Sequence, residues 1–71
     1  SNWKKLHFKH PELRETIKDK IFNVKENAFG SSAMTKDYEL IFPIIKGEIE
    51  KENIKVENLN LDDILISFVK E

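Results

Sequence analysis

His7 and His10 stand three residues apart, the first pair of side chains in this chain that could do chemistry. On a helix that spacing would bring two imidazoles together. A metal site needs further ligands at fixed spacing, and none accompanies them. Pro11 also disfavours a helix through residues 7–10. The pair is therefore read as two solvent-exposed histidines beside lysines. Asp62 and Asp63 are adjacent, so on a helix they point about 100° apart. A paired-carboxylate site needs two groups facing one substrate. Their position, just after Asn60, marks a helix start, with acidic groups at the positive end of the helix dipole. Gly30-Ser31-Ser32 lacks the long Gly-rich run ending in Lys and Ser/Thr that cradles phosphate, and reads as a turn. Ser67 has neither a neighbouring His nor a Gly-x-Ser-x-Gly context. With no Cys anywhere, thiolate catalysis, zinc-thiolate sites and disulfides are all excluded. The residues expected to be catalytic, cofactor-binding or metal-binding are none, and the fragment is not expected to be an enzyme.

Contact surfaces are the remaining possibility. Trp3 lies near a terminus, where a large aromatic serves better as an interface anchor than as core. Tyr38 and Phe42 are expected in the core. Glu48, Glu50 and Glu52, within GEIEKEN, are most simply a solvated helix face and otherwise an acidic contact surface. Residues 1–36 hold eight Lys/Arg and four Asp/Glu, whereas residues 37–71 hold four and nine. The halves either neutralise each other within one fold or present an acidic surface to a basic partner. The overall net charge of −1 gives no support for nucleic-acid binding.

These side chains need elements to hold them. Residues 1–10, basic and aromatic, are read as an N-terminal segment or linker remnant. Residues 11–71 are read as a single small α+β domain. PELRETIKDK starts with a proline suited to the first helical turn and orders its acids before its bases, predicting a short helix over about 11–20. Leu13, Ile17, Ile21, Val24 and Ala28 would let it continue to about 28. KIFNVKE also alternates, which favours a hairpin-like pair over about 21–26 and 29–35, turning at Asn27 and Gly30. Residues 37–52 form the strongest amphipathic helix, with Tyr38, Ile41, Ile45 and Ile49 on one stripe and Asp37 as N-cap. Pro43 and Gly47 weaken it. IKVEN, residues 54–58, alternates as a half-buried strand, and Leu61, Ile64, Leu65 and Phe68 would form the buried face of a last helix. The expected fold is thus α+β: a small three-stranded sheet, hairpin plus one strand, packed by two or three helices.

The chain has 71 residues, enough for one domain with a modest core. No apolar run approaches the roughly 20 residues that span a bilayer, and SNWKKLHF lacks the apolar core of a signal peptide. Ser1-Asn2 without an initiator Met looks like a tag-removal scar, pointing to a piece excised from a longer protein.

The order helix, hairpin, amphipathic helix, short strand, then Asn60-Leu61-Asp62-Asp63-Ile64-Leu65 opening an apolar helix resembles the C-terminal accessory domain of bacterial ABC transporter ATP-binding subunits. That family usually closes on Leu-Glu-Asp-(Val/Ile)-Phe. Here Asp62 stands for the Glu and Leu65 for the aromatic. The resemblance covers about residues 11–71. It implies a regulatory or interaction domain with no Walker A loop, signature motif or Walker B aspartate of its own. It implies a protein partner, either its own ATPase domain or a second subunit, with homodimer pairing open to it, and neither nucleic acid nor membrane insertion. It also implies a cytoplasmic parent, held at the membrane through its complex. The competing expectation is a free-standing protein-interaction module with an acidic C-terminal half. A small enzyme would need Asp62 to meet His7 or His10 in a deep pocket.

Overall fold

The structure, a computed structural model, describes residues 2–59 together with Asp62 and Leu65. Strand β1 (Lys4–Phe8) leads to a 3-10 helix (Pro11–Lys20), then strands β2 (Phe22–Glu26) and β3 (Ser31–Thr35), helix α1 (Tyr38–Glu50) and strand β4 (Ile54–Asn58). One antiparallel sheet runs in the order β2-β3-β1-β4. A strand, a helix, a hairpin, a helix and a strand in this order make the split β-α-β arrangement of ferredoxin-like folds.

The expected three-stranded sheet is therefore corrected to four strands, and the described helices are one α-helix and one 3-10 helix. The strand that was missed is β1. The sequence places it in a segment outside the sheet, yet it lies in the middle, paired with both β3 and β4. Its lysines and histidine hid a two-residue alternation. Leu6 and Phe8 point to one side and are fully buried, while Lys5 and His7 point to the other. A central strand with one wet face can carry charge on that face.

The described helices cover one side. Leu6, Phe8, Ala33 and Ile54 from the sheet meet Ile17 of the 3-10 helix and Ile41 and Ile45 of α1, with Leu13, Ile21, Tyr38, Ile49 and Val56 packed around them. The expected stripe of α1 is thus the buried one. Leu40 and Ile44, beside it, remain 59% and 50% exposed, and Phe42, expected in the core, is also exposed. The segment 11–20 keeps its expected bounds but is wound as a 3-10 helix, long for its kind.

Side chains join the element ends. Thr35 is fully buried; its hydroxyl donates to the Lys20 carbonyl at 2.8 Å and accepts from the Asp37 N–H at 3.0 Å. Asp37 makes no side-chain cap. The start of α1 is instead held by Asn2, whose side-chain oxygen accepts from the Glu39 N–H at 2.8 Å. The hairpin turn closes with the Asn27 side-chain oxygen accepting from the Phe29 and Gly30 amides. There a Cβ on Gly30 would lie 2.1 Å from the Phe8 carbonyl oxygen. The expected last helix lies outside the described residues, apart from Asp62 and Leu65, which are helical and exposed. Among the described residues no helix is long and apolar enough to cross a membrane.

Candidate functional site: the open face of the sheet

Residues opposed in an antiparallel pair point to the same side, so the register fixes what the uncovered face carries. One row across the four strands is Phe22, Met34, Lys5 and Glu57; the next is Lys25, Ser32, His7 and Lys55. A bulge in β2 between Phe22 and Lys25, with Asn23 in the left-handed region at φ 57°, keeps both end residues in these rows. The Asn23 amide nitrogen donates weakly to the Met34 sulfur at 3.6 Å.

Aromatic groups bracket this surface. Trp3 continues the Lys5–His7 alternation and meets Phe22 edge to face, with centroids 6.1 Å apart and planes at 83°. Together with Ile21, Lys36 and Asp37 they line a shallow cleft of about 320 Å³. At the other end Phe29 comes over from the hairpin turn, with the Lys55 ammonium 5.2 Å from its ring centre. His7 donates from Nε2 to Glu57 at 2.8 Å between them. A second cleft, about 380 Å³, is lined by His7, Phe29, Lys55, Val56 and Glu57. Within the two strand rows, Lys5, Lys25, Lys55 and His7 accompany the single carboxylate of Glu57, so the face between the clefts is basic and partly apolar. Such a surface can hold carboxylates or phosphates beside a hydrophobic group.

Serine, histidine and carboxylate follow one another across the strands as Ser32, His7 and Glu57, which invites comparison with a hydrolytic triad. Ser32 is only 6% exposed, however, and a nucleophile must be reached by its substrate. Among the described residues no group of three or more His, Asp or Glu side chains is placed to hold a metal ion. His10 is exposed and Asp62 is exposed. His7 is engaged with Glu57.

Of the residues singled out from the sequence, Trp3 and His7 lie on this face. Glu48, Glu50 and Glu52 do not join it. α1 starts beside Asn2 and rises about 1.5 Å per residue, so its last turn lies far from Trp3. Nor do the three share one direction. Glu48 accepts from the Asn53 amide at 2.9 Å, Glu50 lies about 200° further round the helix, and Glu52 follows the helix with φ 63°. The residues of this face not singled out from the sequence are Lys5, Phe22, Lys25, Phe29 and Lys55. The signal was present as period two in residues 3–8 and 54–58, but it pointed to strands, not to a shared face.

No family model matches the chain, and no curated protein or solved structure matches it either.

Proposed function

We propose that this chain is a non-catalytic docking domain, the C-terminal accessory domain of an ABC transporter ATP-binding subunit, and that it meets its partner through the open face of the sheet. The observation that carries the reading is the order of elements from Pro11 to Asn58, a helix, a hairpin, an amphipathic helix and a strand, followed by Leu61-Asp62-Asp63-Ile64-Leu65. The open face supports it independently. Its combination of the exposed Phe29, the half-buried Trp3, Phe22 and Met34, and cations around shallow clefts fits a protein contact better than a reaction centre. The partner contemplated is the ATPase domain of the same subunit, or its second copy.

Two experiments test this. The gene upstream of Ser1 is expected to encode a Walker A loop, and a parent lacking one ends the reading. The purified chain, titrated with the isolated ATPase domain, is expected to bind it and to bind no ATP. Lys5→Glu with Lys25→Glu should weaken that binding about tenfold at low salt, and less at high salt. Affinity indifferent to both substitutions would remove the open face from the contact.

A further inference from the structure

The sheet has two edges, and they differ. The β2 edge carries the bulge at Asn23 and Val24, which interrupts its ladder. Bulges of this kind keep an edge from pairing with another chain. The β4 edge has no such device. Ile54–Asn58 contains neither Pro nor Gly, and its register with β1 is unbroken from Phe8–Ile54 to Lys4–Asn58. Among the described residues nothing pairs with its outer side. The Lys9 N–H donates to the Asn53 carbonyl at 2.9 Å. In an antiparallel ladder the bonded positions alternate, so residues 53, 55 and 57 direct their backbone groups to β1. Ile54, Val56 and Asn58 therefore direct theirs outward.

We propose that β4 pairs antiparallel with β4 of a second copy of this chain, about a twofold axis at Val56, to give a continuous eight-stranded sheet. The sequence of the edge is complementary to itself in this register. Val56 opposes the partner's Val56, and Ile54 opposes the partner's Asn58. Every outward N–H and C=O then meets a partner. Lys55 opposes the partner's Glu57, twice by symmetry, at the closer positions of the ladder that carry no backbone bond. Opposite charges facing across strands stabilise a pair, and like charges weaken it. The two nearest registers that keep both helical layers on one side set Lys55 against the partner's Lys55, or Glu57 against the partner's Glu57. Charge thus selects a single register. Glu57 is 59% exposed and keeps one carboxylate oxygen beyond its bond to His7. Lys5 lies opposite Glu57 in the β1–β4 register, and the inference is kept apart from the docking reading by its test, which reverses Lys55 and Glu57 rather than Lys5 and Lys25.

Sedimentation equilibrium of the 71-residue chain, taken to millimolar concentration, is the test. A monomer–dimer equilibrium is expected. Lys55→Glu and Glu57→Lys should each raise the dissociation constant about tenfold, because two attractive pairs become repulsive. The double swap, Lys55→Glu with Glu57→Lys, should restore the wild-type constant. Val56→Pro should abolish the dimer while leaving the circular dichroism of the monomer unchanged, since the lost N–H faces away from β1. A monomer at all concentrations overturns the proposal. So does a dimer insensitive to the single charge reversals, or a folded double swap that stays weakened.

Discussion

Thr35 shows how much one polar residue can hold in a domain this small. Its hydroxyl ties the end of the 3-10 helix to the residue preceding α1. Thr35→Val keeps the shape but leaves the Lys20 carbonyl and the Asp37 N–H without this partner, and is expected to cost about 1–3 kcal/mol in urea unfolding. Ser31 is the contrary case. Its hydroxyl is buried with no hydrogen-bond partner, opposite Phe8 in the ladder. Ser31→Ala removes an unsatisfied polar group and should leave the unfolding midpoint unchanged or raise it. Gly30 is set by space. Any Cβ would press on the Phe8 and Lys9 carbonyls, so Gly30→Ala should destabilise by about 2–4 kcal/mol, read in the same denaturation assay. None of these roles is legible from residue type. Thr35 and Ser31 read equally as turn or strand residues, and what separates them is the groups that distant segments bring alongside.

At the scale of elements, β1 decides whether there is a domain at all. It is the only described strand that joins the β2-β3 hairpin to β4, and it supplies Leu6 and Phe8 to the core. A chain beginning at His10 is expected to show no cooperative thermal transition by circular dichroism, whereas the full chain melts cooperatively. The hairpin, α1 and β4 were legible because their patterns are local: turn residues at Asn27 and Gly30, a period near 3.6 in 38–49, alternation in 54–58. β1 was not, because a central strand in a sheet with one wet face shows only two buried residues among lysines and histidines. The winding of residues 11–20 was not legible either, since proline at the start and i, i+3 pairs suit both kinds of helix.

Across the whole molecule, the layering gives the open face its lysines. Lys5, Lys25 and Lys55 lie far apart in sequence and meet on one face only because β1 is threaded between β3 and β4. A near-neutral chain thus presents a locally basic surface, and the charge divide between its halves was only a faint sign of it. Docking through this face should weaken with rising salt. By itself the sequence determined the amphipathic stripe of α1, the alternation of 54–58 and the turn at Asn27 and Gly30, since those depend on neighbours within a few residues. It also excluded thiol chemistry outright. Only the tertiary structure decided the strand order, the burial of Phe8 and the gathering of Trp3, Phe22, Lys5 and His7 on one face. Those follow from pairing between residues far apart in the chain, whose register local pattern does not encode.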